Sequence, residues 1–334
     1  MNIKKVADQA GVSTATVSRV INNTSYISPE TAEKVWKAID ELGYYPNINA
    51  RGLASGKSSL LGLIVSDIVN PFFPDLVKSF EESAFEKGFE IIMANTNYDP
   101  ARTALRVRSL IERRVDGVAV MTSEMDRSMI DKFSTRGIPI VFLDTGKVKK
   151  NISNIRINYE YGISEAIEHL LDLGHREIGF ISGPLNLKSA RIRRKAFLEF
   201  LKKRGIIERD ELIASGDYKI GGGKKAMTKL LKLKKRPTAV FVSNDLTAIG
   251  ALQTLRSNGL HVPEDMSLIG FDDIAFAESV DPPLTTVNLS RTKIAQCAFE
   301  SLFELINGTD KKGKEISVDT KLVIRESTAK LKNG

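Results

Sequence analysis

The chain has 334 residues, a formal net charge of +8 and a single cysteine, Cys297. A chain of this length can bury a large core and form two or three domains. The positive charge favours a polyanionic partner, although solubility alone would also account for it. One cysteine excludes an intramolecular disulfide, and no signal peptide or apolar run of about 18 to 20 residues is recognisable. We therefore expect a cytoplasmic protein without membrane spans.

Apolar residues recur at helical spacing through the first 45 residues and predict three short helices. Asn2 and Ser13 are suited to cap the first two helices, and Ser28 followed by Pro29 begins the third. Gly43 supplies the stop signal after the third helix. The apolar positions are Val6, Ala10, Val17, Val20, Ile21, Val35, Ile39 and Leu42.

The first two helices and the turn between them have the dimensions of a helix-turn-helix, although a structural three-helix bundle would show the same pattern. In a helix-turn-helix the N-terminal end of the second helix enters the major groove of DNA. The hydroxyl groups of Thr14 and Thr16 suit phosphates or base edges. The methyl group of Ala15 suits thymine, and the guanidinium of Arg19 suits guanine. Val17 and Val20 must face inward. Residues 1–58 hold seven basic and five acidic side chains. Because this excess of positive charge is small, DNA recognition must depend on specific contacts of individual side chains.

Small and polar residues from Asn47 to Ser59 indicate a linker, which could be a simple flexible tether. Beyond residue 60, short apolar runs alternate with helix-length segments, which predicts two doubly wound parallel sheets covered by helices. A helix near Thr292–Ile306 and one strand-like segment, Val318–Arg325, are expected to return the chain to the first lobe. The predicted strands are Leu61–Val65, Glu90–Ala94, Gly117–Met121, Ile138–Leu143, Ile178–Ser182, Ala239–Val242 and Ser267–Gly270.

Nearly the whole chain resembles, in order, the lactose repressor and galactose repressor family of bacterial regulators. The resemblance is carried by IKKVADQAGVSTATVSRVINN, ISPET, ELGYYPNINARGLASGKS, GLIVSDIVNPFF, RRVDGV, GHREIGFISGP, RPTAVFVSND, VPEDMSLIGFDD and PPLTTV. It implies a helix-turn-helix domain at 1–46, a hinge at 47–59, and a periplasmic-binding-protein-like domain at 60–334 that binds ligand and dimerises. The first lobe is expected at about 60–158 and 290–320, and the second at about 159–289 and 321–330.

The resemblance also implies how the hinge contacts DNA. It is expected to fold into a helix on operator DNA, where Leu53 wedges into the minor groove and bends the duplex. The expected DNA contacts further include Asn22, Asn47 and Arg51. A two-fold dimer should bind a palindromic operator, and no leucine heptad that would join dimers into tetramers follows Ser327.

A ligand site is expected at the carboxyl ends of the strands, in the cleft between the lobes. Asn70, Phe72 and Phe73 follow the first strand there, and the two aromatic rings can stack on a sugar or a base. The resemblance adds Ser123, Arg193, Tyr218, Asn244 and Asp272, and the expected position of the pocket adds Asp144. This mixture of donors and acceptors suits hydroxyl groups, but Leu289 stands where the family often has glutamine. Asn244 could instead cap a helix, and Asp144 could simply end a strand.

Enzyme sites are not recognisable in this sequence. Gly221–Gly223 followed by Lys224 lacks the spacing of a phosphate loop and is better interpreted as a helix start. The three histidines are scattered, and Cys297 lies among apolar residues as a packed thiol would. We therefore expect no enzymatic activity, no cofactor and no metal.

These features predict a homodimeric repressor of sugar-utilisation genes that is controlled by a small-molecule effector, expected to be a carbohydrate. A purine corepressor or a phosphorylated carrier protein is the alternative effector. A sugar-binding transport protein is the rival class, which the missing signal peptide and the helix-turn-helix oppose.

Overall fold

The computed structural model describes residues 2–22, 25–45, 57–122, 125–144, 146–207 and 209–332. The chain divides between Ser59 and Leu60 into two compact units. The helices are α1 Ile3–Ala10, α2 Thr14–Asn22, α3 Pro29–Leu42, α4 Phe72–Phe85, α5 Pro100–Glu112, α6 Arg127–Ser134, α7 Tyr159–Asp172, α8 Lys188–Lys203, α9 Ile220–Leu231, α10 Asp245–Ser257, α11 Ala275–Ser279 and α12 Arg291–Asn307, with a 3-10 turn at Asp210–Leu212. The strands are β1 Leu60–Val65, β2 Glu90–Asn95, β3 Gly117–Met121, β4 Ile140–Leu143, β5 Ile152–Asn158, β6 Ile178–Ser182, β7 Ile213–Ser215, β8 Ala239–Val242, β9 Ser267–Asp272, β10 Thr285–Asn288, β11 Glu315–Asp319 and β12 Lys321–Val323.

The N-terminal unit consists of α1, α2 and α3, and side-chain caps begin each helix as predicted. The Asn2 side chain accepts a hydrogen bond from the backbone of Lys5, and Ser13 and Ser28 cap α2 and α3 in the same way. Gly43 adopts a left-handed conformation with φ +56° and ends α3, which a residue with a Cβ would do less readily. The small core of this unit contains Val6, Ala7, Val17, Val20, Val35, Ala38 and Ile39.

The larger unit contains two sheets, each of which forms a lobe with its helices. The strand order is β11-β5-β4-β3-β1-β2 in the first lobe and β12-β10-β9-β8-β6-β7 in the second. In the first lobe α4 and α12 pack on one face of the sheet, and α5 and α6 pack on the other. In the second lobe α7 and α8 cover one face, and α9 and α10 cover the other. Buried runs such as Gly117–Met121 form strands covered on both faces, which explains their continuous apolar character.

The chain passes between the lobes after β5, after β10, and between β11 and β12. The expectation that the whole strand-like segment Val318–Arg325 returns to the first lobe is wrong, because this stretch contributes to both sheets. The change of sheet falls at Thr320, where the lobe boundary was expected. β11 pairs with β5 in parallel, whereas β12 pairs with β10 antiparallel. Thr320 separates them, and its hydroxyl donates to the carbonyl of Asn158 and accepts from the backbone of Gly162.

The carboxyl ends of β1, β3, β4 and β9 meet at the cleft between the lobes, where ligands bind in folds of this kind. A cluster of buried apolar side chains extends through both lobes behind this cleft. Among the described residues, no helix is long and apolar enough to cross a membrane.

Candidate DNA-binding surface and effector cavity

The N-terminal unit presents the start of α2 as an exposed surface. Thr14, Ala15 and Arg19 are exposed, while Val17 and Val20 are buried in the core, as predicted. Thr16 is half-buried, and its hydroxyl lies 3.0 Å from the Ser13 hydroxyl. The geometry is that of a helix whose N-terminal end can approach DNA.

Four of the predicted DNA contacts fall at the edge of the described chain or beyond it. Asn22 ends α2, but its side chain is not among the described ones. Asn47, Arg51 and Leu53 lie outside the described residues.

The larger unit contains a cavity of about 100 Å³ between its two lobes. Eight of the nine predicted ligand residues line it, and the ninth, Ser123, lies outside the described residues. The first lobe contributes Asn70, Phe72, Phe73 and Asp144, and the second contributes Arg193, Tyr218, Asn244 and Asp272.

The aromatic wall of the cavity begins at the first turn of α4. The Asn70 side chain accepts a hydrogen bond from the backbone of Phe72 at 3.0 Å and so fixes the start of this helix. The rings of Phe72 and Phe73 have centroids 5.3 Å apart and stand at 88° to each other. Two nearly perpendicular apolar rings can contact both the face and the edge of a flat ligand.

Arg193 forms the centre of the polar wall and is almost fully buried. One Nη donates to the carbonyl of Ser243, and the other lies 3.2 Å from Asp272 Oδ1. Its guanidinium carbon lies 4.1 Å from the ring centroid of Phe271 and 5.0 Å from that of Tyr159. Burial alone would lower the pKa of Arg193, but the negative charge of Asp272 holds it above its ordinary value.

Each lobe contributes one carboxyl group to the lining of the cavity, Asp144 from the first lobe and Asp272 from the second. Burial raises the pKa of Asp272 to about 6, although Arg193 and Arg291 act to lower it. Burial also raises the pKa of Asp144, whose Oδ1 accepts from the backbone of Ile157 at 2.7 Å. These carboxyls therefore change charge at a higher pH than exposed ones do.

Asn244 and Asp144 also have the structural roles that the sequence left open for them, as a helix cap and at a strand end. Asn244 caps α10 by accepting from the backbone of Thr247 at 3.1 Å, and its amide donates to the carbonyl of Tyr218 at 3.2 Å. Asp144 directly follows β4 in a left-handed conformation with φ +62°. Both side chains nevertheless line the cavity.

Several lining residues were not predicted. Ser66 and Thr122 directly follow β1 and β3, so the rule that ligands bind at strand ends could have identified them. Tyr98, by contrast, lies in an irregular segment after β2 and gives no signal in the sequence. The residues missed are Ser66, Tyr98, Met121, Thr122, Leu143, Tyr159, Leu187 and Ser189, whereas Leu289 lines the cavity at the position where the family often has glutamine.

Two other sequence features can be placed. Gly221–Gly223 lies in the first turn of α9, so the prediction of a helix start is confirmed. Cys297 lies on α12, half-buried against the core. Within the described part of the chain, no cluster of three or more His, Cys, Asp or Glu side chains could hold a metal ion.

Residues 2–47 match the family described as bacterial regulatory proteins, lacI family, and residues 167–328 match the periplasmic binding protein-like domain. The chain is 37% identical over 331 residues to the HTH-type transcriptional repressor PurR of Actinobacillus pleuropneumoniae serotype 3 (strain JL03), covering 98% of each protein. PurR of Mannheimia succiniciproducens is 36% identical over 332 residues, which cover 98% of this chain and 99% of that protein.

Solved structures show the same similarity. The lac repressor dimer bound to operator and the anti-inducer ONPF is 29% identical, with a TM-score of 0.86 over 98% of this chain and 99% of that one. A complex of the transcriptional regulator CelR with cellobiose is 30% identical, with a TM-score of 0.73 over the same shares of the two chains. A LacI family regulator from Enterococcus faecium with bound ribose is 29% identical, with a TM-score of 0.73 over 82% of this chain and 100% of that one. The chain therefore belongs to the LacI family and is a DNA-binding transcriptional repressor.

Proposed function

We propose that this repressor binds a palindromic operator as a cytoplasmic homodimer, and that a small molecule in the cavity between the lobes sets its affinity for the operator. The observation that carries this proposal is the cavity itself, because both lobes line it, with Phe72 and Phe73 on one side and Arg193 and Asp272 on the other. A ligand that contacts both walls favours the arrangement in which the lobes are close together. A solved relative is named as a dimer bound to operator and an anti-inducer, which supports the same assembly here.

The proposed effector is a purine base that acts as a corepressor. Several curated relatives at 33–37% identity are named PurR, a name that refers to purines. The perpendicular rings of Phe72 and Phe73 suit a flat heterocycle, and Arg193 and Asp272 offer a donor and an acceptor to its edge. The Nε of Arg193 is buried and has no partner among the described residues, so its hydrogen-bonding capacity is unfilled without a ligand.

A monosaccharide is the second candidate, and it retains the carbohydrate expected from the sequence. Arg193, Asn244 and Asp272 resemble a set that binds hydroxyl groups, and two solved relatives are named with cellobiose and ribose. The cavity of about 100 Å³ is far smaller than the roughly 300 to 1,000 Å³ of common ligand sites. A single ring system therefore fits this closed arrangement better than a disaccharide.

For the DNA surface we propose that Thr14, Ala15 and Arg19 contact base edges and that Thr16 contacts a phosphate. Their exposure at the start and along the outer face of α2 supports this assignment. Asn22, Asn47, Arg51 and Leu53 remain proposed contacts on the resemblance alone.

The test combines calorimetry with operator binding. Full-length protein is titrated with guanine, hypoxanthine, ribose, glucose and cellobiose, and its affinity for a duplex selected from a random pool is measured with and without each compound. We expect guanine or hypoxanthine to bind and to tighten the DNA complex. Ligand at 100 times its dissociation constant should also add about 2.7 kcal/mol to the free energy of unfolding.

Two variants sharpen this test. Phe73→Ala should weaken purine binding, whereas Val69→Ala, a neighbouring residue that is 82% exposed, should leave it unchanged. Binding of a monosaccharide alone would establish the second candidate. Binding of none of the five compounds would contradict both effector classes.

A further inference from the structure

Arg291 connects the two walls of the effector cavity without lining it. It is the first residue of α12, where the chain passes from the second lobe to the first, and its side chain is only 16% exposed. Its Nε lies 3.2 Å from Asp75 Oδ2 on α4. One Nη donates to the backbone carbonyl of Asp272 at 2.6 Å. A single guanidinium therefore bonds to both lobes.

Both partners of Arg291 belong to elements that build the cavity. Asp75 lies in the first turn of α4, which also carries Phe72 and Phe73. Asp272 is the last residue of β9, and its carboxylate meets Arg193 inside the cavity. The hydroxyls of Ser79 and Thr292, which are 3.3 Å apart, form a second link between α4 and α12.

The backbone of Asp272 has an unfavourable conformation, and the hydrogen bond from Arg291 to its carbonyl helps to hold it. Its φ of +106° lies in a region that residues with a Cβ rarely adopt, and such conformations persist only where the surroundings hold them. The Arg291 bond fixes the peptide that follows Asp272. With the backbone held in this way, the carboxylate stays directed at Arg193.

The bonds of Arg291 differ in strength. Asp75 is 55% exposed, so its ion pair contributes little to stability by itself. The bond to the Asp272 carbonyl is charge-assisted and partly buried, and bonds of this type are stronger than neutral ones. The main consequence of losing Arg291 is therefore local misplacement of the two walls rather than unfolding.

We propose that Arg291 is a positioning residue. It holds the first turn of α4, which carries Phe72 and Phe73, and the end of β9, which carries Asp272, in fixed relative positions. This inference rests on the proposed role of the cavity as the effector site. Arg291 supports effector binding without contacting the effector, by fixing the first turn of α4 and the end of β9.

The test uses full-length wild type, Arg291→Gln, Arg291→Lys and Asp75→Asn. Lys78→Gln is the matched control, since this exposed lysine lies on α4 and pairs with Glu82, 3.8 Å away, on the same helix. Hydrogen exchange is measured without ligand by mass spectrometry. In Arg291→Gln we expect exchange to rise about tenfold in peptides covering 72–76 and 272–276, with the rest of the second lobe unchanged.

The other variants should separate the two bonds. Arg291→Lys keeps the charge and should restore most of the protection, whereas Asp75→Asn should affect only the α4 peptide. Unchanged exchange in both peptides of Arg291→Gln would overturn the inference, as would a uniform rise across the second lobe, which would indicate a merely structural role.

Calorimetry with guanine and with ribose completes the test. For whichever probe binds the wild type, Arg291→Gln should weaken affinity about tenfold and Lys78→Gln should not. Unchanged affinity in Arg291→Gln would overturn the inference. If neither probe binds the wild type, the proposed effector classes fail, while the exchange data still decide whether Arg291 positions the two walls.

Discussion

The buried carboxyl of Asp272 predicts a specific dependence of stability on pH. Its pKa is raised to about 6 in the folded protein, from an ordinary value of 3.8. A carboxyl whose pKa is higher in the folded state holds its proton more tightly there. Its contribution to stability is therefore fully present below about pH 3.8 and is lost as the pH rises through about 6.

The size of this effect follows from the difference between the two pKa values. It corresponds to a loss of about 2 kcal/mol in the free energy of unfolding between pH 4 and pH 7. Asp272→Asn has nearly the same shape and does not titrate. In this variant the fall in the free energy of unfolding over that range should be smaller by about 2 kcal/mol. Asp245 adds in the same direction, because burial raises its pKa and the charge of Asp272 raises it further.

The measurement is urea denaturation, followed by circular dichroism, at several pH values from 4 to 8. Asp281→Asn is the control, since this aspartate of the same lobe is 84% exposed and should leave the pH dependence unchanged. If the free energy of unfolding falls in parallel in Asp272→Asn and wild type, burial does not hold the pKa of Asp272 near 6, and the reasoning is refuted.

Three further predictions concern the DNA surface and the packing. Arg19→Ala should relax base preference and cost about 1 to 3 kcal/mol of discrimination in competition binding, whereas equal loss on all duplexes would make Arg19 a phosphate contact. Ser28→Ala should lower the stability of the N-terminal unit by about 1 kcal/mol in thermal melts, because the α3 cap is lost. Gly162→Ala should destabilise by about 1 to 3 kcal/mol in urea, because its Cβ would lie 2.4 Å from Thr320 Oγ1. Gly221→Ala, with open space around it, should instead stabilise by up to about 1 kcal/mol, and a loss equal to that of Gly162→Ala would contradict the packing argument.

The elements predicted correctly are those that depend on residues close together in the sequence. Ser28 and Gly43 mark the ends of α3 because a cap and a left-handed stop depend only on neighbouring residues. Buried parallel strands such as β3 were predicted because they are apolar along their whole length. The predicted cavity residues of the second lobe came from the resemblance to a family, since nothing local distinguishes Arg193 from the other basic residues of α8.

The strand β5 was missed because two polar residues are buried among its apolar ones. Ser153 and Asn154 interact with Lys314 and Glu315, about 160 residues later in the chain. A polar side chain can be buried when such a partner is supplied, but the partner becomes visible only in the folded chain. No local signal indicates the break inside Val318–Arg325 for a related reason, because the bonds of Thr320 to Asn158 and Gly162 separate the strands. The lobe boundary expected after residue 320 came from the resemblance to a family.

Several residues that line the cavity have a strained backbone, and hydrogen bonds within the protein hold three of them in place. Asp144, Tyr218 and Asp272 all line the cavity with positive φ, a conformation that costs on the order of 1 to 3 kcal/mol for residues other than glycine. Each is secured by a hydrogen bond, from the backbone of Ile157 to the Asp144 side chain, from Asn244 to the Tyr218 carbonyl, and from Arg291 to the Asp272 carbonyl. A cavity fixed in this way orders few additional groups when a ligand enters, which leaves more of the interaction free energy for affinity.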